Sequence, residues 1–167
     1  MATIALALSS ADATIKSVCK AASEKDSRVN YEFCVSALLQ HGPAPKEDTW
    51  VVAKQATDIG IGNAELAVTD IEGLLAKPET NAKTKAALEQ CDGLYHSILF
   101  AFAHANEKIN ARNYTGGKEE AAKSIPLAHQ CDDLFAKADV PSPLTQRSVF
   151  SVKIAIVCMV ITDLIER

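Results

Sequence analysis

Apolar residues recur at helical intervals along most of this chain. From about Thr80 to Arg112, the residues Ala87, Cys91, Leu94, Ile98, Phe102, Ala105 and Ile109 follow steps of three and four. That spacing puts them on one stripe of an amphipathic helix. From about Glu47 to Ala76, the residues Val52, Ala56, Ile59, Leu66, Ala67, Ile71 and Leu74 predict a second long helix, and Pro78 separates the two. Tyr114-Thr115-Gly116-Gly117 reads as a turn. A third helix is expected from there to about Ala138, with Ala121, Ile125, Ala128, Cys131, Phe135 and Ala138 facing inward. Pro126 lies within it and lacks an N–H, so a kink or interruption is expected there.

Val140-Pro141-Ser142-Pro143 then stops the pattern. The last helix is expected from about Leu144 to Ile165. It is apolar nearly all round from Val149 to Ile161, as befits an element buried on several sides. Its longest uninterrupted apolar run, Ile154 to Ile161, is too short to span a bilayer, so no membrane partner is expected. The start of the chain differs. Short helices around Ala13–Ala22 and Tyr31–Gln40 are joined by the polar stretch Ser23–Asn30, and Gly42-Pro43-Ala44-Pro45 marks a break. The expected fold is all-α, with a helical hairpin over residues 13–45 and an antiparallel up-down four-helix bundle over 46–167, together one domain. Residues 1–12 read as a leader. They resemble the tail of a secretory signal with a small-residue site at Ala11-Asp12-Ala13, though without a basic stretch; the plainer reading is a start methionine ahead of the first helix.

Composition supports helices over strands. Only 5% of the residues are aromatic, while 27 of 167 are alanine, the best helix former. The net charge is −4, with 17 Lys and Arg scattered among 21 acids and no basic run. A general nucleic-acid binder needs a basic face, so nucleic acid is not an expected partner.

Catalytic patterns are missing from the sequence. The four histidines, His41, His96, His104 and His129, have no acid three residues before them, which removes the Glu-x-x-His device of di-iron bundles. There is no Cys-x-x-Cys, no His-Glu-x-x-His, no Gly-x-Ser-x-Gly elbow and no phosphate loop. Gly60-Ile61-Gly62 lacks the strand and the third glycine of a dinucleotide site. The neighbouring acids Glu119-Glu120 and Asp132-Asp133 point about 100° apart on a helix, so they form no acid/base pair by themselves. The expectation is a protein that is not an enzyme and holds neither metal nor cofactor.

Five cysteines remain: Cys19, Cys34, Cys91, Cys131 and Cys158. Five thiols allow fifteen ways of making two bridges with one left over. Cys19 and Cys34 flank the polar turn of the hairpin. Cys91 and Cys131 lie on consecutive helices at heights differing by under about 10 Å, within what an irregular turn absorbs. Cys158 sits in the most apolar helix, where a buried thiol is ordinary packing. A reduced bundle with five buried thiols fits the same positions.

Three segments carry a resemblance. Cys19 followed by Val29-Asn30-Tyr31-Glu32-Phe33-Cys34-Val35, then Gln90-Cys91-Asp92-Gly93-Leu94-Tyr95, then Cys131-Asp132-Asp133-Leu134-Phe135, is similar to the plant invertase and pectin methylesterase inhibitor family. Ser142-Pro143-Leu144-Thr145 fits as well, and the likeness runs from about Ala13 to Ile165. It implies a four-helix bundle with an N-terminal hairpin, bridges Cys19–Cys34 and Cys91–Cys131, and an unpaired Cys158. It also implies a secreted protein of the plant cell wall that occludes the cleft of one carbohydrate-active enzyme, either pectin methylesterase or acid invertase. The Pro-Lys-Phe motif of cell-wall invertase inhibitors would fall at Tyr114-Thr115-Gly116 and is missing. The Gly-Asp-Tyr common among pectin methylesterase inhibitors survives only as the tyrosine of Asn113-Tyr114. The balance favours pectin methylesterase. Gln130 stands where the family usually has threonine, and Pro126 is atypical.

The expected contact residues are Asn113, Tyr114, Thr115, Lys118, Asp132 and Asp133, with Tyr114 as an exposed anchor. Asn113-Tyr114-Thr115 is also an N-glycosylation sequon. The competing reading from another class is a small-ligand carrier, with an apolar cavity among Ile98, Phe102 and Ile156, or a bundle of the pollen-allergen type without inhibitory activity.

Overall fold

The computed structural model describes residues 10–41 and 48–165. The expected Gly42–Pro45 break and the first nine residues of the leader lie outside them. Among the described residues there are six helices and no strand: α1 Ser10–Lys25, α2 Tyr31–Gln40, α3 Thr49–Leu75, α4 Ala82–Asn110, α5 Tyr114–Ala138 and α6 Thr145–Asp163. Helix α1 begins three residues before the expected Ala13. Four helices start on a polar cap. Asn30, Asp48, Asn81 and Asn113 each accept a hydrogen bond from a backbone N–H of the first turn.

Helix α4 packs on α3 and α5, and α6 closes the ring by packing on α5 and α3. The hairpin α1–α2 leans on α3 and α6. Alanines make the close approach feasible: Ala53, Ala56, Ala64, Ala67, Ala105, Ala121, Ala128 and Ala155 are fully buried. The few aromatics fill what remains, with Tyr95, Phe102 and Phe135 all enclosed. Gly60 of α3 lies against the Phe102 ring so tightly that a Cβ would stand 2.6 Å from three ring carbons. Ile98 is likewise fully buried in this core. The Phe102 ring packs directly on the α3 backbone, which weighs against the apolar cavity that the carrier reading required.

Three local expectations change. The chain reverses at residues 111–113, where Arg112 takes a left-handed conformation at φ 62°, and α5 already begins at Tyr114. Gly116 and Gly117 are helical, and close contacts explain them: a Cβ on Gly117 would lie 2.6 Å from Ile109, and one on Gly116 would lie 2.7 Å from the Asn113 amide. Pro126 does not interrupt α5, which runs on to Ala138. The proline is exposed, so the carbonyl it leaves unpaired in the preceding turn can bond water. Leu66 is 51% exposed although the stripe placed it inward; its neighbour Ala67 takes the core position.

Helix α6 is long and apolar enough to cross a bilayer by length and composition alone, which the eight-residue run understated. Ile154, Ala155, Val157, Cys158, Val160 and Ile161 are buried within the bundle, while Val149 is 45% exposed.

Disulfides join Cys19 to Cys34 and Cys91 to Cys131, with Cα separations of 5.8 and 5.2 Å. Cys158 is free and buried. Burial pushes its thiol up to about 12 and outweighs the hydrogen bond with Thr162. A thiolate reagent will therefore leave the native protein unlabelled at neutral pH and label one thiol per chain in denaturant without reductant. Intact mass reads the count, and labelling of the native protein would contradict the buried assignment.

The α1–α2 turn carries a local clamp. Arg28 gives its backbone N–H and its guanidinium to the Asp26 carboxylate. These hydrogen bonds from Arg28 hold the Asp26 carboxyl down at about 2. A lowered carboxyl stabilises the fold fully above the unfolded value of about 4, and that contribution disappears as pH falls towards 2. Asp26→Asn will accordingly lower the urea midpoint slightly at pH 5 and match the parent near pH 2. A gap of equal size at both pH values would contradict the clamp.

Candidate functional site

The expected contact residues do not form one patch. Asn113, Tyr114, Thr115 and Lys118 occupy the first turns of α5, whereas Asp132 and Asp133 lie near its end. Nineteen residues of helix separate Tyr114 from Asp133, about 28 Å. Tyr114 is also not an exposed anchor. It is 8% exposed, and its hydroxyl accepts a hydrogen bond from Arg112 at 3.2 Å. Arg112 also lies over the Trp50 ring at 4.5 Å, and Lys54 lies 3.9 Å from the same ring centroid. The Trp50 indole N–H donates to the Ile109 carbonyl. Tyr114 therefore belongs to the packing that closes the α4–α5 turn. Lys118 is tied to Asp163, which joins the start of α5 to the end of α6. Asn113 and Thr115 are exposed.

At the other end of α5 the two aspartates separate. Asp132 is half-buried and one of its oxygens, Oδ1, is enclosed without a hydrogen-bond partner. It faces the region of Tyr95, whose hydroxyl shares a 2.8 Å hydrogen bond with Ser148. Burial is the main reason that the Tyr95 phenol is pushed up to about 12; the Ser148 bond acts the other way, and Asp132 adds a smaller upward push. Asp133 instead points to solvent.

Asp133 stands in an open groove between α4 and α5 of about 510 Å³, lined by Gln90, Gly93, Leu94 and Ser97 on one side and Gln130, Asp133, Leu134 and Lys137 on the other. The Cys91–Cys131 bridge ties the two helices at this level, one residue from Gln90 and one from Gln130. A Cβ on Gly93 would meet nothing within 4 Å. The α4 wall continues through Phe100, which is 56% exposed and stacks on His104 at 6.5 Å. His104 in turn approaches Glu120 of α5 at 3.9 Å. The groove lining is thus two glutamines, a serine, one acid and one base around two leucines. Gln90, Gly93, Ser97 and Phe100 recur at helical steps on the face of α4 beside its core stripe, but only the packing of α5 alongside makes that face a groove.

Residues 13–161 match the family described as plant invertase/pectin methylesterase inhibitor. The chain belongs to this family. Its members are inhibitor proteins rather than catalysts. "Pectinesterase inhibitor 8" of Oryza sativa subsp. japonica is 46% identical over 155 residues, which is 92% of this chain and 84% of that one. "Pectinesterase inhibitor 12" of the same plant is 39% identical over 157 residues, 93% of this chain and 75% of that one. The crystal structure of a mutant form of a pectin methylesterase inhibitor from Arabidopsis superposes with a TM-score of 0.74 at 16% identity, covering 92% of this chain and 97% of that one. At that identity the likeness concerns the fold, which is shared over nearly the whole chain.

Proposed function

We propose that this chain inhibits pectin methylesterase by covering the enzyme's active cleft in a one-to-one complex, with the α4–α5 groove as the docking surface. The observation that carries the reading is 46% identity to a pectinesterase inhibitor over 92% of the chain. Occlusion needs no chemistry from the inhibitor. It needs a fixed surface of about 800 Å² per partner. Two long helices bridged at the level of the groove lose little freedom on docking, so less binding energy goes into ordering them. Phe100 extends the groove with an exposed aromatic side chain, the type that most often anchors such interfaces. Asp133 and Lys137 supply charge of both signs at the rim.

The same reading makes the protein a secreted one of the plant cell wall. Two disulfides suit an oxidising compartment. Acid invertase is the less favoured target, because the Pro-Lys-Phe of cell-wall invertase inhibitors is missing at Tyr114-Thr115-Gly116. The test is complex formation. Mixed with plant pectin methylesterase at acidic pH, the protein will co-elute with it on size exclusion, and hydrogen exchange will slow along residues 90–100 and 130–137. Protection confined to the α1–α2 hairpin would move the docking surface elsewhere.

A further inference from the structure

We propose that Asn113 carries an N-linked glycan, and that this glycan occupies the end of the bundle remote from the α4–α5 groove. The inference rests on the secreted inhibitor reading and adds a modification site to it. Asn113-Tyr114-Thr115 is the single Asn-x-Ser/Thr sequence in the chain. The fold has room for a glycan there. Asn113 and Thr115 are exposed while the middle residue, Tyr114, turns inward. Asn113 is the N-cap of α5, and its cap bond is made by Oδ1, which accepts from the Gly116 N–H at 3.0 Å. The amide nitrogen Nδ2 is not needed for the cap. A glycosylated asparagine keeps that carbonyl oxygen, so cap and glycan are compatible.

Gly116 is what lets the Asn113 side chain cap α5 so closely. The Asn113 amide lies over its Cα, with Nδ2 only 2.7 Å from where a Cβ would stand. Any larger residue would crowd the nitrogen or displace the cap. Glycine leaves both in place.

Nδ2 attacks the anomeric carbon of a lipid-diphosphate-linked oligosaccharide. The new bond is C–N. The bond that breaks is C–O to the diphosphate, which leaves with the electron pair, and the amide gives one proton to water. Tyr114 is buried only after folding, so the step precedes closure of the α4–α5 turn.

Position gives the glycan its consequence. Asn113 is 17 residues of α5 from Gln130, about 25 Å along the axis, and the level of Phe100 lies about 15 Å from the end of α4 that Asn113 follows. A glycan at this site would cover the Asn113–Thr115 end and leave the groove open.

The test uses the full chain secreted from plant cells behind a signal peptide. Its intact mass is measured before and after peptide N-glycosidase in heavy-oxygen water. One glycan-sized decrement is expected, with the label at residue 113. Thr115→Ala and Asn113→Asp should both abolish it, and Asn113→Asp retains a capping oxygen. A secreted wild-type chain at its unmodified mass would overturn the site. The second arm compares glycosylated and enzymatically deglycosylated protein against pectin methylesterase. Equal inhibition is expected. Inhibition that appears only after deglycosylation would overturn the remote placement. If neither form inhibits, the inhibitor reading fails, and the mass result still decides the glycan.

Discussion

Replacing Cys91 and Cys131 together by alanine will lower the unfolding free energy by about 4 kcal/mol. The bridge closes a 40-residue separation, against 15 for Cys19–Cys34, and loop-closure entropy grows with length. The corresponding loss at the hairpin is about 3 kcal/mol. A small domain holds about 5–15 kcal/mol in all, so the α4–α5 bridge is a large part of what keeps this bundle folded. Both half-cystines are fully buried, and the alanines would leave small cavities that add to the loss. Urea unfolding monitored by helicity reads the difference. An unchanged midpoint would mean that packing alone holds α4 to α5. The same pair of substitutions will weaken inhibition even where the fold survives, since the bridge fixes the spacing of the two groove walls.

Gly93→Trp will have the opposite signature, with stability kept and inhibition lost. Nothing lies within 4 Å of a Cβ at this position, so an indole there projects into the groove rather than into the core. Removing glycine from a helix interior also favours the helix, by up to about 0.5 kcal/mol for this exchange. The docking surface, in contrast, would be filled at its centre. A loss of about 2 kcal/mol or more in binding is expected, a weakening of about 30-fold. Gly73→Trp is the control. That glycine is equally open, but it lies on α3 away from the groove, and its replacement should leave inhibition unchanged. If Gly93→Trp inhibits as well as the parent, the groove is not the docking surface.

Much of the fold was legible because helices announce themselves through spacing. Of the stripe Ala87, Cys91, Leu94, Ile98, Phe102, Ala105 and Ile109, all but Leu94 are buried in α4 as steps of three and four require, and Leu94 is half-buried on the groove side. The pairing of the cysteines followed from family resemblance joined to helix heights, and Cys158 fell where an apolar helix predicts a buried thiol. The turn was misplaced for a physical reason. Gly116-Gly117 has the composition of a turn, yet each glycine is there because another group lies against its Cα. Sequence cannot distinguish a glycine that bends the chain from one that admits a neighbour. The error carried over to Tyr114, which an exposed turn would present and the first turn of α5 buries. The proposed docking surface was harder to read still. Its two walls come from consecutive helices bridged between residues 40 apart in sequence, and they are lined by ordinary polar residues without a motif. Of the expected contact residues only Asp133 lines this groove, while Gly93 and Phe100 needed the packing of α4 on α5 to become meaningful.

The most direct test of the account is a titration of pectin methylesterase at fixed concentration with the purified, disulfide-intact protein at acidic pH, with acid invertase in parallel. Residual esterase activity should fall in proportion to inhibitor added and vanish near one equivalent, while invertase keeps its full rate. Esterase activity that stays complete in the presence of excess protein would contradict the proposed function and leave only the fold.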